Sequence, residues 1–158
     1  MKRFMLVSVM LITALAAAVG SACENTPVSS EPTSPTSDMQ GTPMEVEGGT
    51  YWRLTPNQFR TFTSGDVFLV VVDEAYLGEI TGTDQWIKAS EIADNLNLFP
   101  DDKDARVAIY CATATRTPAA ATALVQAGYT HVAELGGGWT AWIQQGYSPP
   151  KTNTARFE

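Results

Sequence analysis

Two short runs constrain this chain more than any other feature: Val67-Phe68-Leu69-Val70-Val71-Val72 and Arg106-Val107-Ala108-Ile109-Tyr110. Both are apolar at successive rather than alternate positions, the pattern of strands buried on both faces. The first ends at Asp73 and the second at Cys111, so a polar or reactive group stands where each strand leaves the core. Helical segments are interleaved with them. Thr55 as cap and Pro56 in the first turn start one before Gln58-Phe59-Arg60. Residues 90–98 fit a short helix with Ile92, Leu96 and Phe99 inward, closed by Pro100, and Asp101 to Asp104 make a solvated turn. An Ala-rich helix over 118–127 is closed by Gly128, and residues 132–135 form a third strand. Gly136-Gly137-Gly138 then forces a tight turn into a last helix over 139–145, ended by Gly146. Strands alternating with helices at this spacing predict an α/β domain, a central parallel sheet with helices on both faces. The working surface of such a sheet lies at the carboxyl ends of its strands, and Cys111 sits at one.

The charge balance narrows the partners. Among 158 residues, 10 basic and 17 acidic side chains give a formal charge of −7. A nucleic-acid partner is excluded on this reading, because phosphate binding needs a surplus of Lys and Arg on one face. Only Cys23 and Cys111 carry thiols, and neither lies in a C-x-x-C or Cys/His cluster. No disulfide framework and no metal site are therefore expected.

The amino-terminal residues read as an address. Met1-Lys2-Arg3 is basic, and Met5 to Gly20 is an almost uncharged apolar run, short of the roughly 20 residues a membrane span needs. Gly20-Ser21-Ala22-Cys23 follows, which resembles the lipobox of bacterial lipoproteins, with Gly20 where that motif usually has Leu. The resemblance implies cleavage before Cys23 and lipidation of that residue; ordinary cleavage near Ala22 and an uncleaved anchor are the alternatives. All three place the domain outside the cytoplasm, as a membrane-anchored lipoprotein of the cell envelope or as a soluble exported protein. Loss of residues 1–22 removes Lys2 and Arg3 and no acid, carrying the balance from −7 to −9. Anionic headgroups would repel such a chain, so the tether must be the lipid. The next stretch, 23–47, is rich in Ser, Thr and Pro without periodicity and reads as a flexible spacer. The single domain is expected over 48–150, with a tail over 151–158.

The chemistry concentrates in Cys111-Ala112-Thr113-Ala114-Thr115-Arg116-Thr117-Pro118. A strand ends, a tight loop of small residues follows, and a helix begins with Thr117 as its expected cap. Short side chains let the backbone N–H groups of Ala112 to Arg116 converge over the sulfur like an anion-binding nest. The helix amino terminus and Arg116 add positive charge at the same place. Both effects favour a thiolate over a thiol at Cys111, in a shallow bowl open to an electrophile.

These motifs resemble the rhodanese (sulfurtransferase) family, whose active loop is a cysteine, four residues, then Arg and Ser or Thr: here Cys111, Arg116 and Thr117. Its carboxyl-terminal signature, a glycine doublet with Ala-Trp and a later Gly, matches Gly136-Gly137-Gly138-Trp139-Thr140-Ala141-Trp142 and Gly146. The run Leu124-Val125-Gln126-Ala127-Gly128-Tyr129-Thr130-His131-Val132 also fits, so the likeness spans about 54–149. The resemblance implies a rhodanese-like three-layer fold and Cys111 as the nucleophile that carries sulfur as a persulfide. Ala112, Thr113, Ala114, Thr115, Arg116 and Thr117 would bind the substrate. No cofactor is implied; the partners are a small sulfane donor such as thiosulfate and an acceptor (cyanide, a small thiol or a protein thiol). Two departures stand out. Glu74-Ala75 follows Asp73 where the family has Asp-x-Arg, and Glu79-Ile80-Thr81-Gly82-Thr83-Asp84 replaces its His-Ile-Pro-Gly-Ala. The loop is otherwise neutral, lacking the extra cation that many thiosulfate-using members carry. Four residues between cysteine and arginine, one fewer than in related phosphatases, suit a sulfur atom rather than a phosphate. The rival readings are a rhodanese-fold binding or sensing module and a thiol-redox partner acting through Cys111. Of the remaining residues, His131 is expected to be solvated and Trp139 and Trp142 to face the core. Tyr51 and Trp52 are expected in an edge strand or packed on the domain, and Asp73 in structural hydrogen bonds.

Overall fold

The computed structural model describes residues 39–152; the signal segment, Cys23 and most of the spacer lie outside the described residues. The elements in chain order are β1 (Thr42–Val46), β2 (Gly49–Leu54), α1 (Pro56–Phe62), β3 (Phe68–Val72), β4 (Gln85–Ile87), β5 (Arg106–Tyr110), α2 (Thr117–Gln126), β6 (His131–Leu135) and α3 (Gly138–Gln144). They build one six-stranded sheet in the order β1-β2-β6-β5-β3-β4. Five strands are parallel, and β1 runs antiparallel to β2 at the edge, so the sheet is mixed rather than wholly parallel.

The antiparallel edge corrects the expected spacer boundary. Residues 42–46 are a strand, not spacer, joined to β2 by a two-residue turn at Glu47-Gly48, where Gly48 takes φ 98°. Met44 and Val46 pack on the core while Pro43 and Glu45 are exposed, a period-2 pattern hidden among polar neighbours. Pro43 is tolerable because an edge strand pairs on one side only. Tyr51 and Trp52 consequently lie in an inner strand, not an edge. At the other end, Lys151 leaves the expected tail and exchanges two backbone hydrogen bonds with Glu79 (2.9 and 2.8 Å).

Alternation along the strands divides the core between two faces. Val70, Val72, Val107, Ile109, Cys111 and Val132 line the face covered by α2 and by Ile92, Leu96 and Phe99. Leu69, Val71, Ala108, Tyr110, Ala133 and Leu135 meet Phe59 and Phe62 of α1 and Trp142 of α3. Helix α1 starts as its sequence predicts: the Thr55 hydroxyl accepts the Gln58 N–H, and the Gln58 side chain accepts the Thr55 N–H in a capping box. The expected helix over 90–98 is instead two 3-10 segments, Ala89–Glu91 and Ala93–Leu98. Asn95 breaks the helical geometry (φ −115°), its side-chain amide donating to the Glu91 carbonyl (2.8 Å) and competing with the backbone ladder. Ile92 and Phe99 are nonetheless buried as expected.

The segment that replaces the second family motif is sewn to the sheet from beneath. The Tyr110 hydroxyl accepts the Ile80 N–H (2.8 Å) and shares a hydrogen bond with the Thr83 hydroxyl (2.5 Å). Burial pushes that phenol well above the ordinary tyrosine range. Asp84 ties the same segment to β3, exchanging bonds with the Leu69 backbone through its own N–H and its carboxylate (2.8 Å each). The residue preceding the cysteine is thus fixed on one face of the sheet while the cysteine is set on the other.

Candidate active site

Cys111 follows the last residue of β5 and shares its face with Ile109, which turns its side chain under α2. It is fully buried, so the sulfur forms the covered floor of the loop rather than the open bowl expected from sequence. Thr113 and Thr115 stand exposed above it, their hydroxyls 3.0 Å apart. Ala114 holds φ 59°, the one left-handed residue other than glycine among the described residues. That conformation is costly for a side chain with a Cβ and persists only where the surroundings hold it.

Asp73, the residue after β3, does the holding. Its Oδ2 accepts the Ala112 N–H (3.0 Å) and its Oδ1 accepts from Arg116 Nη1 (2.7 Å), so one carboxylate grips both ends of the loop. From the other side, the Trp139 N–H donates to the Cys111 carbonyl (3.1 Å), and the Thr140 N–H to that of Ala112 (3.4 Å). Two sequence expectations change here. The Ala112 N–H is spent on Asp73 and is not a donor to the sulfur, whereas those of Thr113, Ala114 and Thr115 carry no hydrogen bond among the described residues. Arg116, not Thr117, occupies the cap position of α2, and Thr117 is its first, buried residue. The Thr117 hydroxyl turns back toward the Ala114 carbonyl (3.5 Å), bracing the loop instead of capping the helix.

Burial raises the Asp73 carboxyl above its ordinary value, against the lowering pull of the Ala112 N–H and Arg116. Asp73 is almost wholly buried while the Arg116 side chain is 40% exposed. Truncating the arginine therefore leaves a buried charge behind rather than an exposed one. Arg116→Ala is expected to cost about 2–3 kcal/mol at pH 7, less than a fully buried pair because Arg116 keeps much of its water. Because a folded-state value raised above the unfolded one gives stability that is lost as pH rises, and the variant raises it further, its deficit should shrink as pH falls toward about 4. Urea melts of both proteins across pH 4–7 check this; a deficit that grows on acidification would contradict it.

Two groups that sequence reading passed over also belong to this edge. Glu134 of β6 is fully buried and accepts from Arg53 Nε of β2 (2.5 Å). Their signal was a charged residue inside each of two otherwise apolar runs, Tyr51-Trp52-Arg53-Leu54 and His131-Val132-Ala133-Glu134-Leu135. Gly138, with φ 60°, is pressed against the loop: a Cβ there would overlap the Cys111 carbonyl oxygen and stand 2.8 Å from the Ala112 carbonyl group. His131 is buried rather than solvated, its Nδ1 2.8 Å from the Thr130 hydroxyl, at the far end of β6 from the cysteine. Trp142 is buried as expected, and Trp139 half-buried. Among the described residues no three His, Cys, Asp or Glu side chains gather to hold a metal ion.

A mixed six-stranded sheet flanked by helices, with a buried cysteine at a strand's carboxyl end and a short loop into a helix, defines the rhodanese-like α/β fold. Residues 71–145 match the family model for the Rhodanese-like domain. A rhodanese-related protein from Thermoplasma volcanium is 23% identical with a TM-score of 0.52, covering 61% of this chain and 94% of that one. The human single-domain sulfurtransferase TSTD1 is 21% identical with a TM-score of 0.51, covering 59% of this chain and 96% of its own. A rhodanese-like domain protein from Staphylococcus aureus is 26% identical with a TM-score of 0.50, covering 63% and 98%. No curated protein matches the chain at a significant level.

Proposed function

We propose that this domain is a sulfurtransferase that takes a sulfane sulfur onto Cys111 and passes it to a thiophilic acceptor. The observation that carries the reading is the loop itself: a buried sulfur beneath three small residues whose backbone N–H groups are uncommitted, at the start of α2. Unspent N–H donors at a helix start are suited to a small anion. In the first step the Cys111 thiolate attacks the outer sulfur of thiosulfate. The new S–S bond forms as the S–SO3 bond breaks, and its electron pair leaves with sulfite, so total charge is conserved. In the second step an acceptor thiolate or cyanide takes the terminal sulfur, and the Cys111 thiolate returns. Loop N–H groups stabilise the charged persulfide between the steps. Neither step requires a metal or an organic cofactor.

We further propose that the chain works outside the cytoplasm, tethered through a lipid on Cys23. The basic start, the apolar run and the small residues before Cys23 support this placement. No helix among the described residues is long and apolar enough to cross a membrane.

Intact-mass analysis of the full chain after exposure to thiosulfate tests the function. A gain of one sulfur, about 32 Da, mapped to the Cys111 peptide and lost on adding cyanide, is the expected result. No adduct from any sulfane donor would favour a rhodanese-fold binding module instead. A disulfide-linked partner protein recovered on Cys111 would favour thiol-redox exchange.

A further inference from the structure

Arg116, the cation inside the loop, is held by Asp73, and the residues between Cys111 and Arg116 are neutral. An anionic donor approaching a chain of net charge −7 therefore needs positive charge from elsewhere. The sheet supplies it. Across three neighbouring strands Arg53, Glu134 and Ile109 stand in one row, and Cys111 is two residues beyond Ile109 on the same face. With strands about 5 Å apart, Arg53 lies two strands from the nucleophile and one same-face step below it. The position between them and toward the loop, just past the end of β6, is Gly136, which has no side chain. A Cβ built there would stand 3.2 Å from Arg53 Cγ and 3.6 Å from Cδ, so the arginine stem runs across the bare glycine at the carboxyl edge.

The pair is electrostatically unfinished. Glu134 is fully buried, with Oε1 on Arg53 Nε while Oε2, also buried, has no partner. Arg53 is 41% exposed at its side chain; besides Glu134 it also hydrogen-bonds the buried Tyr51, and the five N–H donors of a guanidinium leave others for a ligand. A buried carboxylate this poorly compensated costs more than an apolar pair would. It fixes a partly exposed guanidinium, however, two strands from a nucleophile whose own loop has no uncommitted cation.

We propose that Arg53, oriented by Glu134, is the donor-recognising cation of this site, taking the anionic head of a sulfane donor such as thiosulfate. The assignment rests on the sulfurtransferase reading for its substrate, but not for its test. Glu134 positions the arginine and also subtracts from its field. The two residues should therefore act with opposite sign, which a purely structural pair would not do.

The experiment measures Cys111 modification in the full chain by anionic iodoacetate and neutral iodoacetamide, alongside sulfur loading from thiosulfate. Arg53→Gln is expected to lower the iodoacetate-to-iodoacetamide rate ratio by about threefold and thiosulfate loading at subsaturation by roughly tenfold. Glu134→Gln keeps a carbonyl acceptor for Nε and removes the opposing charge, so both quantities should rise. Arg53→Lys should restore most of the ratio. Because Arg53→Gln strands a buried carboxylate and could unfold, the Arg53→Gln/Glu134→Gln double variant, which removes both charges, keeps the comparison available and should show a ratio about threefold below that of Glu134→Gln alone. Ratios that are unchanged, or that move the same way in both single variants, would overturn the proposal, as would a Cys111 that neither reagent reaches. If the ratios respond as expected while no variant takes sulfur from any donor, the anion site stands and the sulfurtransferase reading falls.

Discussion

A Cys111→Ser protein should take up no sulfur from thiosulfate, and its transfer to cyanide should drop to the uncatalysed background. Serine is nearly the same size as cysteine, so the buried floor of the loop stays filled and the fold is expected to survive. What disappears is the group able to hold a terminal sulfur: an alkoxide is scarcely formed at neutral pH and has no persulfide analogue. No other described cysteine can substitute, since Cys111 is the free cysteine of the domain. A colorimetric thiocyanate assay with circular dichroism on the same sample reads both halves. Full activity in a folded Cys111→Ser protein would remove the covalent mechanism altogether, and loss of fold would show the thiol to be packing rather than chemistry.

The second large effect is expected at Gly138→Ala. Two costs fall on one methyl group. The backbone there has φ 60°, and a Cβ would be driven into the Cys111 and Ala112 backbone from which the loop hangs. Strain of that kind and overpacking each cost on the order of 1–3 kcal/mol, so a loss of about 2–4 kcal/mol is expected, or roughly 10–20 °C in melting temperature. Activity should fall further than stability, because whatever relief the backbone finds displaces the carbonyls held by Trp139 and Thr140. Gly146→Ala separates the two costs: its φ is 90°, yet nothing lies within 4 Å of an added Cβ. Melting temperatures of the two variants side by side give the contact contribution as their difference. Equal losses would mean that Gly138 is needed for its dihedral angle alone.

The sequence made the inner strands legible because β3 and β5 are continuously apolar and end at Asp73 and Cys111, so strand and nucleophile came from one pattern. Helix α1 was legible for a local reason, since Thr55, Pro56 and Gln58 form its cap among themselves. The first strand was not, because half its residues are polar and its partner provides the pairing; only the Met44 and Val46 alternation marked it. Residues 90–98 were misread because apolar spacing cannot register that Asn95 diverts a backbone carbonyl. Within the site, Cys111, the loop and Arg116 could be read in order along the chain. The contacts that position them could not. Asp73 reaches Arg116 across 43 residues, and Arg53 reaches Glu134 across 81, separations at which no local pattern operates.

The grip of Asp73 on both Ala112 and Arg116 has a consequence for selectivity. A loop whose two ends hang from the two oxygens of one carboxylate behaves as a ring with a non-covalent clasp, and its girth is fixed by the width of that carboxylate as much as by its residue count. Extra chain inserted between the ends would bow outward into solvent while the span at the base stayed the same. The size of guest this floor admits is therefore a property of β3, where the clasp is rooted, and not of the loop alone.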